Sequence, residues 1–252
     1  MLKKRIIPLL LILDDRFVKT INFNSFKDVG DPISTAKIFN DSDADELILL
    51  NINRDNKFLS KLIFFLKEIS KECFIPITAG GGIKSIEDAT KIIKNGADKI
   101  VINSACYENY SLIKNIAEKF GRQAVVASID VKKVDGNLKL VSNCGKKIEK
   151  ISLENHLKKL MDNDIGEVMI NSIDCEGTMK GPDYELAQKV NDLTTVPIIF
   201  SGGIGNYDQI KNIFQNSNIS AVACGSLFNF TDSNPIRAKA YLKSYNINLR
   251  LF

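Results

Sequence analysis

Two short stretches have the residue types to hold phosphate. Ile77-Thr78-Ala79-Gly80-Gly81-Gly82-Ile83 and Ile198-Ile199-Phe200-Ser201-Gly202-Gly203-Ile204 each run from an apolar segment into adjacent glycines and on to a helical pattern. Adjacent glycines let the backbone turn tightly and approach a ligand, because no Cβ intervenes. A helix starting there would point its free N–H groups at the same spot, which suits an anion. A lone Gly-Gly pair is commonly only a turn. Here each copy follows a proline, Pro76 or Pro197, and these lie 121 positions apart in a chain of 252 residues. Two such turns half a chain apart point to a substrate with a phosphate at each end.

The elements that must position these turns alternate. Apolar runs occur at Ile6–Leu13, Glu46–Ile52, Ile75–Ala79, Lys99–Asn103, Ala124–Val131, Glu167–Ser172, Val196–Ser201 and Ala221–Gly225. Helical patterns fall between them at Pro32–Asp41, Lys57–Ile69, Ser85–Asn95, Tyr110–Phe120, Ser152–Asp162, Asp183–Asn191, Tyr207–Gln215 and Pro235–Tyr245. Strands buried on both faces and alternating with helices make a parallel sheet. Eight such units in 252 residues predict a single (β/α)8 barrel over 1–252, built from two similar halves. An open doubly wound sheet is the competing arrangement; the half-chain repeat favours the barrel. Thr20–Gly30 and Asp135–Lys150 are longer excursions after strands one and five, and Val134-Asp135-Gly136-Asn137 is a hairpin signal.

In such a barrel the C-terminal strand ends face the site. They carry Leu11, Asn51, Gly80–Gly82, Asn103, Asp130, Asn171 to Glu176, Ser201–Gly203 and Gly225-Ser226. The N-terminal ends carry Arg5, Glu46, Lys99 and Glu167, which predict a ring of alternating charges at the barrel floor.

Composition excludes several classes. The net charge of +4 reads as spread along the chain, with bases interleaved with acids, so no nucleic-acid surface is expected. The lysines from Lys146-Lys147 to Lys158-Lys159 read as a solvated helix face and its lead-in. Cys73, Cys106, Cys144, Cys175 and Cys224 show no CxxC spacing, and the single histidine, His156, has no partner nearby in sequence. No metal site or cofactor is expected, and each cysteine reads as a small buried or half-buried residue of a cytoplasmic protein. Lys3-Lys4-Arg5 and Ile6–Leu13 resemble a signal peptide. However, Asp14-Asp15-Arg16 follows at once, Pro8 interrupts the run, and eight apolar residues are too few to cross a membrane.

Along essentially its whole length the chain resembles the cyclase subunit of imidazole glycerol phosphate synthase. The match is carried by Lys4-Arg5-Ile6-Ile7-Pro8, Val18-Lys19, Gly30-Asp31-Pro32, Ala44-Asp45-Glu46-Leu47, Gly80-Gly81-Gly82-Ile83, Gly96-Ala97-Asp98-Lys99 and Asn103. It continues through Ala124-Val125-Val126-Ala127, Ile129-Asp130, Gly145-Lys146-Lys147, Ser172-Ile173-Asp174, Gly177-Thr178, Thr194-Thr195, Pro197-Ile198-Ile199, Ser201-Gly202-Gly203 and Asn246-Ile247-Asn248-Leu249-Arg250. The resemblance implies a barrel paired with a glutaminase subunit, whose ammonia passes through the core to the C-terminal face. There it cleaves and cyclises a bis-phosphorylated ribulosyl intermediate, giving imidazole glycerol phosphate and an aminoimidazole carboxamide ribonucleotide.

The family's reaction uses one aspartate at the end of strand one and one at the end of strand five. Asp130 matches the second; the first position is Leu11, which can neither give nor take a proton. Asn51, Asn171 and Glu176 also depart from the family's aspartate, threonine and aspartate. By resemblance the phosphate and substrate contacts are Gly81, Gly82, Asn103, Asn171, Gly177, Ser201, Gly202, Gly203, Gly225 and Ser226, with Lys19 on the loop that closes over substrate. Arg5, Glu46, Lys99 and Glu167 match the ammonia-channel gate, and Asp98 a residue of the glutaminase interface.

A retained floor and a rewritten mouth resemble a class of paralogues associated with surface-polysaccharide synthesis. In that class the barrel and its glutaminase feed ammonia to a third enzyme, an amidotransferase that makes acetamidino sugars. Two alternatives stand beside this reading. One is a histidine-pathway cyclase in which Asp14, Asp15 or Glu176 replaces the missing acid. The other is a phosphate-binding scaffold that conducts nothing.

Overall fold

Arg5–Leu13 is nine residues, RIIPLLLIL, with only its two ends less than fully buried. A strand so apolar on both faces needs cover on both faces, and a barrel ringed by helices supplies it. The computed structural model describes residues 3–53 and 58–250. Eight parallel strands run around the barrel: β1 (Arg5–Leu13), β2 (Leu47–Asn51), β3 (Ile77–Gly80), β4 (Lys99–Ile102), β5 (Val125–Val134), β6 (Glu167–Ser172), β7 (Ile198–Ser201) and β8 (Ala221–Cys224). Each pairs with the next, and β8 returns to β1 from Arg5↔Ala221 to Pro8↔Cys224, closing the sheet. Pro8 is tolerated inside a barrel strand because it sits at a handover. β1 registers with β8 up to Pro8 and with β2 from Leu9 onward, so the missing N–H falls between the two ladders.

The helices are α1 (Pro32–Asp41), α2 (Phe58–Glu72), α3 (Ile86–Lys94), α4 (Ser111–Phe120), α5 (Leu153–Met161), α6 (Tyr184–Leu193), α7 (Tyr207–Asn216) and α8 (Pro235–Lys243). All eight fall where the periodicity places them; the expected start of the second, Lys57, lies outside the described residues. Among the described residues six have a side-chain cap on an otherwise orphaned N–H: Asp31, Ser85, Ser152, Asp183, Asn206 and Asn234. Two short helices, Ser104–Glu108 after β4 and Ser226–Phe230 after β8, were not expected from the sequence.

Strand alternation sorts the core into two shells. Ile7, Leu9, Ile48, Val101, Val126, Met169, Ile199, Ala221 and Ala223 fill the barrel interior. Their neighbours in sequence, such as Ile6, Leu10, Leu49, Ile100, Val125, Ile170 and Val222, pack outward against the helices.

Both long excursions are hairpins, at matching places in the two halves. After β1 come Arg16–Ile21 and Asn24–Gly30, paired antiparallel. After β5 the strand folds back through Asn137–Ser142, with Asp135 and Gly136 at φ 49° and 76°, and then adds a short strand, Lys147–Ile148. Lys147 thus lies on a sheet edge, a correction to the expected helix lead-in, whereas Lys158 and Lys159 are exposed on α5 as the sequence predicts. Cys144, in the turn between those strands, is exposed, where a buried or half-buried cysteine was expected. Among the described residues no helix is long and apolar enough to cross a membrane, and no group of side chains could hold a metal ion.

Candidate active site

Counting two residues back from the inner shell on each strand gives the floor. Arg5, Glu46, Lys99 and Glu167 precede Ile7, Ile48, Val101 and Met169 by two, so they point inward at the N-terminal ends. They form a closed ring. Arg5 Nη1 meets Glu46 Oε2 at 2.8 Å and Arg5 Nη2 meets Glu167 Oε1 at 3.2 Å. Lys99 Nζ meets the same two oxygens at 2.9 and 3.3 Å. Burial works against the charge on Arg5, but Glu167 and Glu46 together outweigh it and hold the guanidinium above its ordinary value. Thr78 is a fifth member that sequence reasoning missed. Its hydroxyl donates to Glu46 Oε1, and its inward position was readable from its spacing of two from Gly80. Asp98 lies beside this floor, where its Oδ2 accepts from the Ile77 N–H at 2.8 Å.

Counting two residues forward gives the mouth. Leu11, Asn103, Asp130, Asn171, Ser201 and Gly225 follow Leu9, Val101, Ser128, Met169, Ile199 and Ala223 by two. Asn51 is out of phase with inward Ile48 and Leu50, and its Oδ1 accepts from the Asn53 N–H at 2.8 Å. Asp130 is buried between two amides: Asn103 Nδ2 donates to its Oδ2 at 2.8 Å and Asn171 Nδ2 to its Oδ1 at 3.3 Å. Burial pushes the Asp130 carboxyl up to about 6, partly offset by Asn171 and Asn103 and reinforced by Glu176. The far oxygens of both amides, Asn103 Oδ1 and Asn171 Oδ1, are buried and unpartnered. Opposite these polar groups, at the end of β1, stands buried Leu11.

The two glycine turns adopt the same conformation. Gly81 and Gly202 are both at φ 106°, and Gly82 and Gly203 at 75° and 86°. A Cβ on Gly81 would lie 2.0 Å from the Asn51 carbonyl oxygen, and one on Gly202 2.7 Å from that of Ser172. The glycines are therefore required by packing onto the preceding strand end, whatever they bind. The helices after them correct the expectation that bare N-termini point at the turns. α3 and α7 start only at Ile86 and Tyr207, capped by Ser85 and Asn206, because a further loop residue or more separates turn from helix.

On the β6–β8 side the structure brings Lys19, Gly177, Ser201, Gly202, Gly203, Gly225 and Ser226 together around one cleft, about 330 Å3 including its open side. Gly81, Gly82 and Asn103 lie across the mouth, at the ends of β3 and β4. Lys19 is folded inside the cleft, its Nζ 3.5 Å from the Leu9 carbonyl oxygen. Burial lowers its pKa, and the Glu176 carboxylate works the other way. A Cβ on Gly225 would fall 1.9 Å from Lys19 Nζ, so only glycine leaves the ammonium its place.

The hairpin that carries Lys19 is held down by Glu176. Glu176 Oε1 accepts from Thr20 Oγ1 at 2.9 Å, Oε2 from the Phe23 N–H at 3.1 Å, and its carbonyl from the Asn22 N–H at 3.0 Å. Both carboxylate oxygens are thus engaged. Asp14 and Asp15 are 71% and 83% exposed and face Lys61, at 3.2 and 3.9 Å. None of the three candidate substitutes for the missing acid is free in the mouth beside Leu11.

His156 has partners that its sequence neighbourhood hid. Its Nδ1 is 2.7 Å from Tyr110 Oη, and its ring stacks on Tyr107 with centroids 4.3 Å apart. Burial lowers its pKa to about 4, so the ring is neutral near pH 7.

A family model described as histidine biosynthesis protein matches residues 5–234. Over 251 residues, all of both chains, the sequence is 38% identical to the imidazole glycerol phosphate synthase subunit HisF of Chlorobaculum tepidum. It is 36% identical over 251 residues to the protein of the same name from Alkaliphilus metalliredigens, spanning 99% of this chain and all of the relative. With that from Bacillus cereus it is 36% identical over 252 residues, all of both chains.

Proposed function

This chain belongs to the histidine biosynthesis protein family, among the HisF-like cyclase subunits, and from that premise we propose that it conducts ammonia to a second enzyme instead of cyclising the family's intermediate. Ammonia enters from a glutaminase partner at the charged floor, beside Asp98, and leaves at the mouth. The acceptor is a sugar amidotransferase of acetamidino-sugar, surface-polysaccharide synthesis.

One observation carries the reading: the inward position at the end of β1 is Leu11, while the floor ring of Arg5, Glu46, Lys99 and Glu167 is complete. Losing a positioned acid or base costs roughly 10²–10⁴ in rate. The engaged oxygens of Glu176 and the outward Asp14 and Asp15 support the same conclusion. Neutral ammonia carries no charge to be trapped by the ring, so the ring acts as a selective floor that must part to let it through. Glu46→Gln or Lys99→Met is expected to uncouple glutamine hydrolysis from ammonia delivery; unchanged coupling overturns the gate.

A second reading rests on Asp130. A carboxyl held near 6 between two amides is poised for acid/base work, and the relatives similar over the full length are named imidazole glycerol phosphate synthase subunits. The purified chain, given ammonium at alkaline pH and the bis-phosphorylated intermediate, separates the two readings. Ammonium bypasses the glutaminase, so only the barrel's own chemistry is tested. Turnover above about 1 s⁻¹ establishes a cyclase and ends the conduit reading. Failure to turn over in a folded preparation, with activity gained by Leu11→Asp, supports it.

A further inference from the structure

The basic charge is not spread along the chain as its composition suggests. Lys132 to Lys150 holds six lysines against Asp135 and Glu149, a net +4, equal to that of the whole protein. This segment is the hairpin that rises from β5 at the C-terminal face.

Its register divides the charges by face. Asp130 opposes Val141, Lys132 opposes Lys139, and Val141 opposes Ile148. Opposed residues and residues two apart share a face of the sheet. One face therefore climbs from Asp130 in the mouth through Val141 to exposed Lys132, Lys139 and Ile148. The other face bears Lys133 and Lys147, and those are neutralised: Lys133 by Asp183 at 3.1 Å, Lys147 by Glu149 at 3.1 Å. Among the described residues Lys132 and Lys139 have no ion pair, although they stand directly opposite each other, an arrangement that destabilises a hairpin by itself. Ile148, 54% exposed, sits on the last strand of the sheet, which among the described residues pairs on one side only. The β1 hairpin touches this one where Gly145 lies against the Phe23 ring, and it adds Phe26, 57% exposed, and Ile21 to the crown.

We propose that this face docks a partner protein through an acidic patch with an apolar centre, and that the partner is the enzyme that consumes the ammonia. The occupant's identity rests on the conduit reading; the surface does not. Charge complementarity calls for an anionic partner. The exposed lysines and the exposed Ile148 on the same face suit a protein surface better than a small phosphate, which gains nothing from an exposed apolar group. The face descends without a break to Asp130, so a partner seated on it covers the exit of the barrel.

The test titrates the full chain with a synthetic peptide rich in glutamate and leucine. Parallel titrations use inorganic pyrophosphate and vesicles containing anionic lipid. The peptide is expected to bind, and Lys132→Glu with Lys139→Glu to weaken it about tenfold or more, the scale of one or two good interfacial ion pairs. Ile148→Asp, which leaves those lysines in place, is expected to weaken it severalfold. Lys114→Glu with Lys158→Glu, on the helical flank, is expected to change it less than twofold. Each variant is first shown to unfold at the wild-type temperature. No peptide binding, equal loss from the flank variants, or tighter binding of pyrophosphate or vesicles overturns the proposal. Turnover of the bis-phosphorylated intermediate by the chain with ammonium sinks the conduit reading alone and leaves the peptide result standing.

Discussion

Asp130 stores instability where chemistry is expected. Its carboxyl titrates near 3.8 when unperturbed and about 6 when folded, with burial the main cause. Between those values the folded state holds the proton and the unfolded state has lost it. Stability from this group is therefore full below pH 4, falls as pH rises to about 6, and is absent above that. Two pH units correspond to roughly 3 kcal/mol. Asp130→Asn is expected to melt higher than the wild type at pH 7.5, and the difference in urea-unfolding free energy between the two should grow from pH 4 to pH 6. The introduced amide can also donate to Asn171 once that side chain flips, using an oxygen that now has no partner. Equal melting at pH 7.5 would show that burial does not disfavour the ionised Asp130 carboxylate. At Gly225 the constraint is steric. Gly225→Ala places a methyl where Lys19 Nζ lies, so Lys19 must leave the cleft. Acylation by an amine reagent, read by mass spectrometry, should rise at Lys19 in the variant; unchanged protection rejects that account.

At the scale of elements, strand alternation does most of the positioning. The same inward positions that carry Val101 and Met169 carry charge two residues earlier and the mouth residues Asn103 and Asn171 two residues later, and on the longer β1 Arg5, Ile7, Leu9 and Leu11 follow the same spacing. Each strand is thus a ruler from floor to site. The hairpins are less firmly set. Arg16–Gly30 is held over the mouth largely by Glu176 and by Asn22, whose side chain donates to the Ile173 and Asp174 carbonyls at 2.8 and 2.9 Å. Removing Glu176 takes away two hydrogen bonds to a charged group, each worth roughly 1.5–3 kcal/mol. Glu176→Ala is expected to speed amide exchange across residues 16–30 at least tenfold and leave the barrel strands unchanged. Exchange that accelerates equally in β5 and β6 would mean that the hairpin is part of the global fold and not a separable flap.

For the molecule as a whole, the floor ring ties β1, β2, β4 and β6 together at one end. Breaking a buried ion pair from one side typically costs 3–5 kcal/mol, because the partner is left charged and dry. Lys99→Met should lower the urea-unfolding free energy by about that much. Replacing all four ring members by apolar residues of similar volume is expected to recover most of it, since the desolvation penalty disappears with the charges. A four-residue apolar floor as stable as the wild type, yet unable to couple glutamine hydrolysis to delivery, would separate the ring's structural weight from its role as a gate. If Lys99→Met is as stable as the wild type, the ring is solvated and holds nothing together.

The sequence by itself determined the barrel and its polarity. Apolar runs of strand length, helical repeats between them and two matching glycine turns half a chain apart favour a closed barrel over an open doubly wound sheet, and strand direction then assigns each polar end residue to floor or mouth. These are local properties: burial periodicity and backbone permissiveness are written in consecutive residues. What the tertiary structure alone decided depends on residues far apart in the chain. Tyr110 and His156, 46 positions apart, share a hydrogen bond. Glu176 spends its carboxylate on Thr20 and Phe23, more than 150 positions away, and so is not the spare acid its sequence position offered. The basic face of the β5 hairpin exists only because antiparallel register sets Lys132 opposite Lys139 and sends Lys133 to Asp183. Composition sums charges, whereas register and packing choose which of them are neutralised, and that choice depends on distances that one-dimensional spacing does not contain.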